Sequence, residues 1–278
     1  MQSNWTQNDL KVNGVKIHYT RTGHGDKKPM VLIHGFSDHG LMWTPTARDL
    51  EAEYDVIMPD MRAHGLSERV QPGEKVDMAA DVAELIRALG LKRPIVGGHS
   101  MGAGITYQIG VRFPELARAL ILEDGPFFLA QPDEPQPPSQ PGENPIVKWA
   151  KSLPNQTTEE LLAQYRKDHS NWSEELIQLM VQSKKQLDPN IVDTLSERIR
   201  QDRTAWLTTI QDIAVPMLVI TANPKLGGLV TPEAAAKVRE LNPRATVVTF
   251  SDVGHLIRFD KYDAFIAAVK AFLRQLPD

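Results

Sequence analysis

Between residues 10 and 20 apolar and polar positions alternate around Asn13-Gly14, a pair suited to a two-residue hairpin turn. Two antiparallel strands are therefore predicted to begin a sheet. Met30-Val31-Leu32-Ile33 is a short apolar run of the kind a buried strand gives, and Leu41 to Glu53 reads as a helix leading to a strand at Val56-Ile57-Met58. From Asp77 to Leu89 the apolar residues Val82, Leu85, Ile86 and Leu89 recur at helical spacing, and Gly90 ends the run. The strand around Ile95-Val96, a helix from Met101 to Arg112 stopped by Phe113-Pro114, and the strand Ala119-Leu120-Ile121-Leu122 continue the series. Strand and helix in alternation imply an α/β fold with a mostly parallel sheet and helices on both faces.

The pattern then breaks. Prolines at 132, 135, 137, 138, 141 and 145 are too dense for a helix interior or a central strand, so this stretch reads as a linker. Residues 146 to 212 are charged, with helical spacing at Leu161, Leu162 and Tyr165, at Leu176, Ile177, Leu179 and Met180, and at Ile191, Leu195 and Ile199. A helical cap over 126–213, inserted into a core domain made of 1–125 and 214–278, is the expected organisation. Alternation resumes with the strand Met217 to Ile220, a helix opened by Thr231 as N-cap and Pro232, the strand Thr246 to Phe250 and a last amphipathic helix from about Tyr262 to Leu273. The expected sheet has eight strands.

Composition narrows the function. With 41% hydrophobic and 24% charged residues the chain is globular, and its 278 residues suffice for a full core. A net charge of -4, without any run of Lys or Arg, argues against a nucleic-acid partner. The absence of cysteine excludes disulfides, thiolate metal sites and a cysteine nucleophile. No pair of histidines at ligand spacing joins a carboxylate, so no metal is expected. No apolar run is long enough to span a bilayer, and Met1-Gln2-Ser3-Asn4-Trp5 lacks the basic and apolar regions of a secretion signal; no membrane association and a cytoplasmic location are expected.

The chemistry centres on Gly98-His99-Ser100-Met101-Gly102, a G-x-S-x-G pattern between a strand and a helix. A serine on such a sharp turn has its hydroxyl lifted from the backbone, with glycines where a Cβ would clash with the neighbouring strand and helix. Together with His34-Gly35 after the third strand, the loop Asp60-Met61-Arg62-Ala63-His64-Gly65-Leu66-Ser67, the inserted helical region and Gly254-His255 after the last strand, these residues resemble the α/β-hydrolase family over nearly the full length. The resemblance implies hydrolysis through a covalent acyl-enzyme, by a serine, an acid and a histidine in that order, without a cofactor. It makes Ser100 the nucleophile and His255 the base, and places the oxyanion donors at the backbone N–H groups of Met101 and Phe36, with the Phe36 ring lining the acyl pocket. Asp60 and Arg62 resemble positions that tie loops together. His34, His64 and His99 are read as structural.

The acid departs from the commonest family pattern. The loop after Met217–Ile220 reads Thr221-Ala222-Asn223-Pro224-Lys225-Leu226-Gly227-Gly228 and holds no Asp or Glu. Some relatives, among them certain haloalkane dehalogenases and the zearalenone lactonases, carry the acid after the preceding strand, which here ends Leu122-Glu123-Asp124-Gly125-Pro126. Asp124 is the first candidate, Glu123 the next and Asp252 the last, although Asp-Gly-Pro is also a good turn sequence. Phe127, Phe128, Trp149 and Trp172 are candidates for an apolar pocket wall and equally for cap core. The leading expectation is a serine hydrolase of a small, largely apolar carboxylic ester or lactone. Carbon-carbon bond hydrolysis, cofactor-free oxygenation and a non-catalytic ligand receptor are the alternatives; epoxide hydrolase and dehalogenase chemistry is disfavoured, because those relatives place Asp where this chain has Ser100.

Overall fold

The computed structural model describes residues 5–129, 145–192 and 204–277. Its sheet has eight strands: β1 (Thr6–Val12), β2 (Val15–Arg21), β3 (Lys28–Ile33), β4 (Tyr54–Pro59), β5 (Ile95–His99), β6 (Ala119–Glu123), β7 (Met217–Thr221) and β8 (Ala245–Thr249), in the order β1-β2-β4-β3-β5-β6-β7-β8. β1 pairs antiparallel with β2, and β2 with β4; every other pairing is parallel. Val12 faces Val15 across the Asn13-Gly14 hairpin, as its residues predict.

The core lies on both faces of the sheet because side chains alternate along each strand. Val31 and Ile33 of β3 and Met217 and Val219 of β7 point into one cluster with Val82, Leu85 and Ile86. Met30, Leu32, Leu218 and Ile220 point into the other, against Trp43, Phe265 and Val269. Three helices lie among the strands up to β6: α1 (Thr44–Leu50), α2 (Met78–Ala88) and α3 (Met101–Arg112). The reading of one helix over Leu41 to Glu53 is corrected to a 3-10 turn at Gly40–Trp43 followed by α1, because Pro45 near the start of α1 supplies no N–H for a continuous ladder.

Between β6 and β7 the described residues hold helices and no strand: α4 (Pro145–Ser152), α5 (Thr158–Asp168), α6 (Glu174–Gln186) and the short α7 (Trp206–Thr209). A reciprocal capping box between Thr157 and Glu160 starts α5, and Ser173 caps α6. Most of the proline-rich linker, and Leu195 and Ile199 of the third helical pattern, lie outside the described residues. After β7 come α8 (Pro232–Leu241), capped by Thr231, then α9 (Ile257–Asp260) and α10 (Tyr262–Leu273).

Candidate active site

Ser100 sits between β5 and α3 at φ 53°, ψ -114°. A non-glycine residue in that region is strained, at a cost of about 1–3 kcal/mol, and persists only where its surroundings over-determine it. The surroundings here are backbone. A Cβ on Gly98 would lie 2.2 Å from the Gly102 carbonyl oxygen, and one on Gly102 would lie 2.2 Å from that of Ile33. The glycines thus let the elbow, α3 and β3 close on one another, and the positive end of α3 is directed at Ser100. The Ser100 N–H donates to the Glu123 carbonyl at 2.9 Å, fixing the elbow to the end of β6.

Asp124, the next residue of that strand end, is fully buried and also has a left-handed φ, 43°. Its Oδ2 accepts from His255 Nδ1 at 2.6 Å and from the Leu229 N–H at 2.9 Å, and its Oδ1 from the Val230 N–H at 3.4 Å. Both amides belong to the segment 222–231 between β7 and the next helix, which holds no Asp or Glu. That segment orients the carboxylate supplied by its neighbour strand. The hydrogen bond sets the His255 tautomer: Nδ1 carries the proton and Nε2 is the free base. The His255 ring is 28% exposed and lies 4.5 Å, centroid to centroid, from the ring of His99, whose Nε2 bonds the His255 carbonyl at 3.0 Å. His255 therefore rests on the residue preceding Ser100.

The other two candidate acids are engaged elsewhere. Glu123, buried, accepts from the backbone N–H and from Nη1 of Arg258, each at 3.0 Å; burial raises its pKa although Arg258 opposes the shift. Asp252 is exposed and pairs with Lys261 at 2.6 Å. Of the three, Asp124 meets His255.

On the opposite side, His34 Nε2 accepts from the Met61 N–H at 2.9 Å and its Nδ1 donates to the Gly35 carbonyl at 2.7 Å, so this ring ties the loop after β3 to the loop after β4. Burial, then neighbouring His64, holds its pKa well below the ordinary histidine value. His64 donates from Nδ1 to the Arg62 carbonyl, and burial lowers its pKa to about 4. Arg62 and Asp60 both tie loops, but not to each other: Arg62 pairs with Asp81 and Glu74, while Asp60 accepts from the Gly40 and Leu66 N–H groups. Phe36 follows His34-Gly35, its ring half-buried and edge-on to His64.

The four candidate wall aromatics separate. Trp149 on α4 is 37% exposed, with its ring 6.4 Å from that of Phe36. Phe128 is half-buried and its carbonyl accepts from Trp206 Nε1. Phe127 is packed in the core, edge-on to Tyr107 and Trp206. Trp172 is buried with Met42, Ile177 and Met180, stacked on His169 and donating to Asp260. Packing accounts for these last two without a ligand.

Sequence reasoning passed over a buried ionic chain beside the site. Lys184 of α6 pairs with Asp38 at 2.9 Å, and Arg258, three residues after His255, pairs with Asp38 at 3.6 Å and with Glu123 at 3.0 Å. Lys184 was legible as a charge on the apolar stripe of Ile177, Met180 and Val181, and Arg258 as a charge in the apolar run Leu256 to Phe259.

The sequence profile of the alpha/beta hydrolase fold family matches residues 28–262. The chain is 28% identical over 272 residues to an N-formylmaleamate deformylase of Pseudomonas putida, covering 95% of each. It is 27% identical over 268 residues to Lipase 1 of Psychrobacter immobilis, covering 94% of this chain and 81% of that one. Its fold is similar to the crystal structure of E-2-(acetamidomethylene)succinate hydrolase, with a TM-score of 0.78 and 19% identity, covering 98% of this chain and 100% of that one.

Proposed function

The chain belongs to the α/β-hydrolase fold family, and from that premise we propose that it is a serine hydrolase that cleaves a small, largely apolar carboxylic ester or lactone through an acyl-enzyme on Ser100. The observation that carries this reading is the buried Asp124 carboxylate bonded to His255 Nδ1, at the strand end to which the strained Ser100 turn is tied by its N–H. His255 Nε2 takes the Ser100 proton as the oxygen attacks the carbonyl carbon, and returns it to the leaving alcohol. Water, activated by the same nitrogen, then releases the acid. Asp124 stabilises the imidazolium that exists between these transfers. The oxyanion is held by the N–H of Met101, at the start of α3 where a helix leaves its first amides without intrahelical partners, and by the N–H of Phe36. Phe36, Phe128 and Trp149 form the apolar wall, and residues 126–213 are its cap. A small-molecule ester or lactone is the partner expected.

A second reading has a specific support: the relative similar over 95% of the chain is a deformylase, so the acyl group attacked by Ser100 is in this reading that of an amide. The chemistry at Ser100, His255 and Asp124 is the same, with an amine leaving. The test is hydrolysis of p-nitrophenyl esters of graded length, of simple lactones and of N-formyl amides, by the protein and by Ser100→Ala. Ser100→Ala lowers kcat on the active substrate by at least about 10⁴-fold with unchanged circular dichroism. Undiminished turnover by that variant would sink the mechanism.

A further inference from the structure

The turn that carries Phe36 is held open to strain by contacts from outside it. The Asp38 N–H donates to the Gly35 carbonyl at 3.2 Å, closing a four-residue turn, and Ser37 at its third position has φ +65°. That conformation favours glycine, and a serine there needs external restraint. Two side chains supply it. Lys184 Nζ donates to the Ser37 carbonyl at 3.3 Å and to Asp38 Oδ1 at 2.9 Å, and Arg258 pairs with Asp38 from the other side. All three charged groups are buried. The buried Lys184 ammonium reaches a main-chain carbonyl of a strained turn, whereas the exposed pair Arg48–Glu175 links α6 only to α1.

We propose that Lys184 is a positioning residue for the oxyanion donor at Phe36: it fixes the Gly35–Asp38 turn by bonding the Ser37 carbonyl and neutralising Asp38, so that the Phe36 N–H stays aimed at the site. The proposal rests on the acyl-enzyme reading above. It makes α6 part of the reaction framework; the same ammonium lies 5.9 Å from the centre of the Trp149 ring on α4. Misplacing a donor by about 1 Å costs on the order of 10²-fold in rate, and that is the size of the effect expected.

The test measures the rate at which a fluorophosphonate labels Ser100, resolved into an apparent affinity and a maximal rate, since attack at phosphorus uses the same oxyanion donors without needing the natural substrate. Lys184→Met removes the ammonium at similar length. Lys184→Met/Asp38→Asn also removes the carboxylate left without its lysine, so that a folded protein is obtained if the single variant is unstable. In whichever folds, the maximal rate falls about 10²-fold, the apparent affinity changes less than about threefold, and the pH midpoint set by His255 stays in place. Lys184→Arg, which keeps the charge and donors, recovers most of the rate. A folded Lys184→Met/Asp38→Asn protein labelled as fast as the parent overturns the proposal, as does a moved pH midpoint, which places the effect on the base instead. If the parent protein itself is not labelled, the acyl-enzyme reading fails and takes this proposal with it; normal labelling in parent and variants alike removes only the role of Lys184.

Discussion

The Asp124 carboxylate accepts from three donors: His255 Nδ1–H and the Leu229 and Val230 amides. A carboxylate satisfies them all, whereas an amide must turn its NH₂ toward one donor and carries no charge to balance an imidazolium. Asp124→Asn therefore lowers kcat by about 10³ to 10⁴-fold, measured on any substrate the protein turns over. Glu123→Gln and Asp252→Asn keep the His255 bond and retain far more activity; a dead Asp252→Asn with an active Asp124→Asn would reverse the assignment. Asn223 stands where most relatives supply the acid, yet its side chain bonds the Lys225 N–H and the Ser251 carbonyl. A carboxylate at 223 would face that carbonyl, so Asn223→Asp does not restore Asp124→Asn. Ser100, His255 and Asp124 are readable in the sequence as candidates because each sits at a fixed place relative to a strand end. The amides of Leu229 and Val230 were not legible, since any residue type can offer a backbone N–H.

At the scale of elements, α3, α10 and the capped start of α8 follow directly from apolar spacing and cap residues, and their bounds agree with that reading to within a residue or so. The helices between β6 and β7 are also periodic, but periodicity does not say which apolar face meets the sheet domain and which meets a ligand. That is why Phe127, Phe128, Trp149 and Trp172 could not be separated before their surroundings were known. Their neighbours now give different expectations. Phe127→Ala empties a site between Tyr107 and Trp206 and costs about 3–5 kcal/mol in urea unfolding. Trp149→Ala costs about 1 kcal/mol or less, but changes the ratio of kcat/KM between p-nitrophenyl acetate and octanoate. Equal stability losses with no change in acyl preference would remove Trp149 from the pocket wall.

For the whole molecule, the strand order brings the carboxyl ends of β3, β5, β6 and β7 together, and each delivers one part of the proposed site: the Phe36 turn, Ser100, Asp124 and the amides bonded to its carboxylate. Alternation of strand and helix made that topology readable. The buried charges and histidines that hold these ends in place depend on long-range contacts, which no local pattern encodes. They set the acid stability. Burial lowers the pKa of His64 to about 4 and holds those of His34 and His99 well below the ordinary value near 6.5. The unfolded chain then binds these protons first, so the stabilisation is full above about pH 6.5 and is lost as pH falls from there toward the folded values. Urea unfolding between pH 7 and pH 5.5 should lose roughly 1 kcal/mol for each such histidine. A flat profile over that interval would show that these rings are not buried neutral. The central claim concerns Ser100, and its most direct test is peptide mass spectrometry after exposure to a fluorophosphonate. The account predicts one adduct, on the peptide bearing Ser100, absent from Ser100→Ala and slowed in Asp124→Asn; a protein that turns over esters or amides while Ser100 stays unmodified would contradict it.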